Sequence, residues 1–234
     1  MLFTIKTYYC PAVIFTSQNF NFTCLFKKNL YSLAIIPKME YNKKMKKLIR
    51  AFIAIELNPK LLDELKKIQK ELQHLSGEIS WTLPENLHIS VRFLGNISPE
   101  QIKPIEQIIK NISKQTKSFD LSLGVLGVFP YINGHQVLWA GISSGYSQVT
   151  QISTLIARDL KSLNIKAGDK HFHPHITLAR IKSLKNKSEL NTLIDTIQPA
   201  KISEQINTII LFKSEINNEN PVYTKIFETE LSRP

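Results

Sequence analysis

Two short segments carry the same pair of side-chain types. His88-Ile89-Ser90 and His175-Ile176-Thr177 each place a hydroxyl two residues after a histidine. On a strand, residues i and i+2 share a face. His88 and Ser90 are therefore expected on one face, with Ile89, Val91 and Phe93 on the other. His175 and Thr177 are likewise expected opposite Ile176 and Leu178. An imidazole beside a hydroxyl suits displacement at phosphorus. Histidine titrates near neutrality and serves as base or as acid. A hydroxyl donates to a non-bridging phosphate oxygen. Two such pairs on opposite sides of one phosphate supply a base and an acid, and the step requires no metal. A single histidine on a strand is most often structural. The same pair at matching places in two halves of a chain points to chemistry.

Both pairs need strands beneath them, and the pattern supplies these. Ala51–Leu57 reads as a strand, and Asn58-Pro59 starts a helix whose apolar stripe is Leu61, Leu62, Leu65, Ile68, Leu72 and Leu75. Leu87–Leu94 alternates as a strand. Ser98-Pro99-Glu100-Gln101 has the form of a capping box ahead of a second helix, and Phe119–Val128 is another strand. The order then repeats. Gln136–Ile142 reads as a strand, Val149 to Leu163 as a helix, and His175–Ala179 as a strand. A helix around Leu190–Ile197 and the strands Ile206–Phe212 and Val222–Glu230 close the chain. The spacing is similar in both halves, with 37 positions from Ala51 to His88 and 39 from Gln136 to His175. This implies two lobes, each a small sheet carrying helices, facing each other across a cleft. A doubly wound parallel sheet ranks second, because no glycine-rich phosphate loop follows any strand.

The chain has 234 residues and a net charge of +11, from 30 Lys and Arg against 19 Asp and Glu. A hydrophobic content of 43% excludes a wholly disordered chain, and no apolar run reaches the ~20 residues of a membrane span. The positive charge suggests an anionic partner, nucleic acid first. It is unevenly spread. Residues 1–44 hold six Lys and one acid, and the remaining 190 residues hold 24 basic and 18 acidic residues. Cys10 and Cys24 both lie in that first segment, so the rest of the chain uses neither a disulfide nor a cysteine metal site. A reducing compartment, the cytoplasm, is expected. Segment 1–44 shows neither a clean period nor a convincing leader. It is read as a poorly ordered extension, with Met39 and Met45 as alternative starts, ahead of a domain at 45–234.

The segments His88-Ile89-Ser90-Val91-Arg92-Phe93-Leu94-Gly95 and Phe172-His173-Pro174-His175-Ile176-Thr177-Leu178-Ala179-Arg180 resemble the two motifs of the 2H phosphoesterase superfamily. Within it, the chain resembles the RNA 2′,3′-cyclic phosphodiesterases, also called 2′-5′ RNA ligases. Arg50–Ile55, Trp81–His88, Leu211–Ser214 and Pro221–Tyr223 match further parts of that pattern, which spans about residues 48–231. The resemblance implies a bilobal α+β fold with pseudo-two-fold symmetry. It implies two small, mostly antiparallel sheets, helices outside and a central cleft. It implies metal-independent hydrolysis of a terminal 2′,3′-cyclic phosphate to a 2′-phosphate, without a cofactor. It maps catalysis onto His88 and His175, and phosphate contacts onto Ser90, Thr177 and Arg180. Ser90 departs from the Thr more usual in the family but keeps a hydroxyl. His175 is read as the base and His88 as the acid, an order the sequence leaves open. The partner is RNA ending in a 2′,3′-cyclic phosphate or a nucleoside cyclic phosphate, no membrane is involved, and a monomer is expected.

Strict alternation sets Arg180 on the face opposite Thr177. A phosphate role for it requires the strand to end or bulge first, or the side chain to reach around an edge. His171, His173 and His175 invite a zinc reading, but no cysteine or nearby acid completes the set, and His173 reads as a supporting residue. His74 and His135 read as surface residues. Trp81 and Phe129 are candidates to stack a base, and Trp139 reads equally as core; packing is favoured for each. Two other functions stay open. A nucleotide-binding module without turnover fits the charge, although Arg or Lys would serve plain phosphate binding better than histidine. An enzyme for another small phosphodiester, such as a cyclic nucleotide or a nucleotide-sugar derivative, shares the motifs.

Overall fold

The computed structural model describes residues 47–132, 134–165, 172–217 and 220–233. All of these fall in the unit Met45–Pro234. The reading of 1–44 as an extension lies outside the described residues, as does His171 of the zinc reading.

The chain forms nine strands and four α-helices among the described residues. In order they are β1 (Ile49–Glu56), α1 (Pro59–Leu72), β2 (Gly77–Trp81), β3 (His88–Ile97), α2 (Pro99–Gln115), β4 (Phe119–Ile132), β5 (His135–Ser144), α3 (Tyr146–Asp159), β6 (Ile176–Leu184), α4 (Lys187–Thr196), β7 (Ser203–Ile206), β8 (Thr208–Asn217) and β9 (Asn220–Glu230). Every pairing between these strands is antiparallel, which sets aside the parallel alternative. The strand order is β7-β4-β5-β6-β3-β1-β8-β9, with β2 also on β6. The two expected sheets are thus halves of one path. They meet at a single residue pair, Ile89 with Ile176.

The halves of the sheet are not the halves of the chain. The first contains β1, β3, β8 and β9, and α2 and α3 pack behind it. The second contains β2 and β4 to β7, with α4 packed on β4. Helix α1 is tied to the second half although its sequence follows β1. The Asn58 side chain donates to the Gln205 carbonyl at 2.9 Å, and the Glu64 carboxylate accepts from the Ala200 amide at 2.8 Å. Asn58 is the N-cap residue of α1, but its side chain makes this bond to β7 and no capping bond. At α2 the expected box forms, with Gln101 Oε1 accepting from the Ser98 amide at 2.8 Å. Ile206–Phe212, read as one strand, divides at Asn207. There the chain leaves β4 and joins β1. Strand β2 has no counterpart in the sequence reading, because Gly77–Trp81 is only partly covered and lacks an apolar run.

Strand β1 is apolar on both faces because both are covered. Ile53 and Ile55 belong to the main core under the helices. Phe52 and Ala54 join Ile210, Phe212 and Tyr223 in a second cluster on the helix-free face. Ile89 and Ile176 are fully buried at the junction. Ile89→Ala is expected to lower stability by about 3 kcal/mol, the usual cost of emptying such a site. Ile216→Ala at an exposed position should change it by less than about 0.5 kcal/mol. Urea unfolding of both variants checks this.

Candidate active site

The junction pair brings the two motifs together. Antiparallel pairing at Ile89 and Ile176 turns His88 toward Thr177 and Ser90 toward His175, all on the helix-free face. The pseudo-two-fold runs through this pair, so each half-sheet contributes one imidazole and one hydroxyl.

Each imidazole is oriented in the same way. His88 Nδ1 lies 2.7 Å from the Asn86 carbonyl, and His175 Nδ1 lies 2.7 Å from the His173 carbonyl. A carbonyl only accepts, so Nδ1 carries the proton in both rings. Nε2 then carries the lone pair in the neutral ring. His88 Nε2 receives the Ser90 hydroxyl at 2.8 Å. Asn86 is itself held by the bond from its side chain to the Pro221 carbonyl, at 2.8 Å. This ties the first motif to β9.

Aromatic rings flank each histidine. His88 lies 5.0 Å from the Phe52 ring and 5.3 Å from Tyr223, which meets it edge-on. His175 lies 4.9 Å from Phe129, also edge-on, and His173 lies 5.0 Å from Trp139. Trp139 pairs with Thr177 across β5 and β6 and lies over Gly127, where a Cβ would overlap the indole. Tyr146 reaches within 3.5 Å of His173 Nδ1.

This enclosure sets the charge state. Burial pushes the His88 imidazole down to about 4, the Asn86 carbonyl opposes the shift, and the His175 charge adds to it. Burial also lowers His175; the His173 carbonyl opposes that, and the charges of His173 and Arg180 add to it. Both rings are neutral in the free protein at pH 7. Burial raises the Tyr223 phenol, so it stays protonated there.

Two β-bulges correct the expected faces. On β1 and β3, Ile53 pairs with Arg92 and Ala54 with Ser90, leaving Val91 unpaired. The extra residue shifts the alternation by one. Phe93 was expected on the core side with Ile89, but it emerges on the helix-free face, 61% exposed and 6.0 Å from Phe52. Arg92 turns inward instead, and its guanidinium donates to the Ser153 hydroxyl at 2.9 Å. On β6 the same thing happens. Leu138 pairs with Ala179 and Trp139 with Thr177, so Leu178 is the extra residue. Arg180 therefore returns to the face of His175 and Thr177, as a phosphate role requires. Its charge is felt by both His175 and Tyr223. His135, expected as a bystander, lies with Nε2 2.7 Å from Arg180 Nη1.

Comparison with known proteins bears on this geometry. Residues 51–220 match the family model described as the AKAP7 2′5′ RNA ligase-like domain. The chain belongs to the 2′-5′ RNA ligase-like family of 2H phosphoesterases. It is 32% identical to the RNA 2′,3′-cyclic phosphodiesterase of Aquifex aeolicus over 189 residues, covering 78% of this chain and 97% of that protein. The protein of the same name from Methanothermobacter thermautotrophicus is 27% identical over 180 residues, covering 75% and 95%. The fold matches TT0787 of Thermus thermophilus with a TM-score of 0.67 and 22% identity, over 78% of this chain and 98% of that one. It also matches E. coli LigT, solved with 3′-AMP, with a TM-score of 0.61 and 22% identity, over 80% and 99%. Family membership accounts for the α+β fold and the repeated motif. The rings around His88, namely Phe52, Phe212 and Tyr223, and Phe93 beside Phe52, were not singled out in the sequence. Their signal was the excess of aromatics on strands already apolar on the other face.

Proposed function

We propose that the protein hydrolyses RNA 2′,3′-cyclic phosphate ends to 2′-phosphates by a two-histidine acid/base mechanism that uses no metal ion. The supporting observation is the pair of imidazoles, each with Nδ1 on a backbone carbonyl and Nε2 turned to a common face. His175 is the base. Its Nε2 takes a proton from water as the water oxygen attacks phosphorus. His88 is the acid. Its Nε2 gives a proton to O3′ as the P–O3′ bond breaks, leaving the phosphate on O2′. A general base or acid of this kind contributes roughly 10²–10⁴-fold. Ser90, Thr177 and Arg180 hold the non-bridging oxygens. The planar fork of guanidinium donors suits a phosphate contact.

His88 must take up its proton from solvent as the substrate binds. The free ring is neutral at pH 7, and an anionic phosphate beside it favours the charged form. Exposed Phe93, next to Phe52, offers a face to a nucleobase. A monomer acting in the cytoplasm is part of the same reading.

The test is an oligonucleotide ending in a 2′,3′-cyclic phosphate, incubated with the protein in EDTA. Opening of the ring at an undiminished rate is expected. Binding without turnover would favour the non-catalytic reading, and turnover of mononucleotides alone would favour a different small substrate.

A further inference from the structure

The bulge that brings Arg180 to the site is held by a side chain outside both motifs. Leu178 is fully buried, and its carbonyl accepts two hydrogen bonds. One comes from the Thr82 amide at 2.9 Å. The other comes from Gln69 Nε2 on α1 at 3.0 Å, and the same nitrogen also donates to the Thr82 carbonyl at 2.9 Å. Both partners of Nε2 are carbonyls, so the amide orientation is fixed: the nitrogen must face them. Gln69 is 6% exposed and lies on the apolar stripe of α1, between Leu65 and Leu72. A polar group there is unfavourable unless it has partners.

The other lobe repeats the arrangement. Its bulge residue, Val91, also follows the junction isoleucine by two positions. The Val91 carbonyl accepts from the hydroxyl of Ser153, at 3.0 Å. Ser153 is 1% exposed and sits on the buried stripe of α3 with Val149, Ile152 and Ile156. Two helices in different halves of the chain thus each present one buried polar group to the bulge carbonyl behind a motif. Packing alone would place apolar residues at both positions.

We propose that Gln69 is a positioning residue: by bonding the Leu178 and Thr82 carbonyls it fixes the β6 bulge that turns Arg180 onto the face of His175 and Thr177. The proposal rests on the phosphate role of Arg180 in the function above. Without the bond, only the Thr82 amide holds the Leu178 carbonyl, and β6 is freer to lose its extra residue. Regular pairing would then carry Arg180 to the helix side and away from the phosphate.

A double-mutant cycle tests this, with Gln69→Met, Arg180→Met and the combination. It is read on kcat/KM for a 2′,3′-cyclic-phosphate oligonucleotide and on the Kd for inorganic phosphate. Arg180→Met is expected to cost about tenfold to a hundredfold on both scales, as loss of a charge-assisted contact does. Gln69→Met should cost a similar factor, and the combination no more than Arg180→Met alone. A residue that acts on the site independently of Arg180 would instead show losses that multiply, and one that serves only stability would show no loss in the folded protein. Multiplying losses, or a Gln69→Met protein equal to wild type, would overturn the proposal. If Gln69→Met does not fold, Gln69→Asn, whose shorter amide cannot span both carbonyls, is judged by the same criterion. A wild-type protein that binds phosphate without turnover would overturn the function reading, and the cycle would still be decided on Kd. A wild-type protein that neither binds nor turns over would overturn both.

Discussion

Replacing either His88 or His175 by alanine should lower kcat by about 10³-fold while the fold is kept. The two losses should not multiply in the double variant, because base and acid serve one displacement and neither works alone. The expected size follows from the geometry. Each Nε2 is aimed by a backbone carbonyl on Nδ1, so no neighbouring side chain can take over its proton transfer. His173 is the nearest candidate, 6.5 Å from His175 between ring centroids, but its Nδ1 faces Tyr146. Circular dichroism and a thermal melt would separate lost chemistry from lost structure. The check matters most for His88, whose ring packs against Phe52 and Tyr223. Retention of more than a tenth of wild-type turnover by either single variant would remove that histidine from the mechanism.

The second large effect is on pH dependence. The reaction needs one imidazole neutral and the other protonated. Both are held below the ordinary value of 6.5 in the free protein, His88 at about 4. The singly protonated pair is therefore most abundant below pH 6.5. Above that it declines roughly tenfold per pH unit, and kcat/KM, which reports the free enzyme, declines with it. A fall of about a hundredfold from pH 6.5 to 8.5 is expected. The kcat profile should lie at higher pH, because bound phosphate stabilises an imidazolium. A kcat/KM that stays flat to pH 8.5 would contradict this picture. Stability moves the other way. The folded pKa of His88 lies below its unfolded value, so the unfolded chain binds more protons between those two values. The contribution of His88 is present above pH 6.5 and is lost as pH falls toward 4, by about 3 kcal/mol. Rates below pH 5 must be read beside an unfolding curve.

Much of this site was legible in the sequence because it rests on period-two faces. His88 with Ser90 and His175 with Thr177 obey that period, and the apolar residues between them mark the buried side. Legibility ended where the period changed. Nothing in Val91 or Leu178 marks a bulge; the side chains that bond their carbonyls, Ser153 and Gln69, lie 62 and 109 residues away in the chain. Phe93 and Arg180 were therefore assigned to the wrong face or left in doubt. The lobes were read as chain halves because similar spacing repeats. Strand β4 and strands β8 and β9 in fact exchange sides, which tertiary pairing decides and local pattern does not. A trace of the helix contacts was present, since Gln69 and Ser153 are polar residues among mostly apolar buried positions.

The most direct measurement follows an oligonucleotide ending in a 2′,3′-cyclic phosphate by phosphorus NMR in the presence of EDTA. With His175 as base and His88 as acid, the cyclic signal should be replaced by a single phosphomonoester signal, that of the 2′-phosphate, as P–O3′ is cleaved. Persistence of the cyclic signal, or its conversion to a 3′-phosphate, would contradict this mechanism.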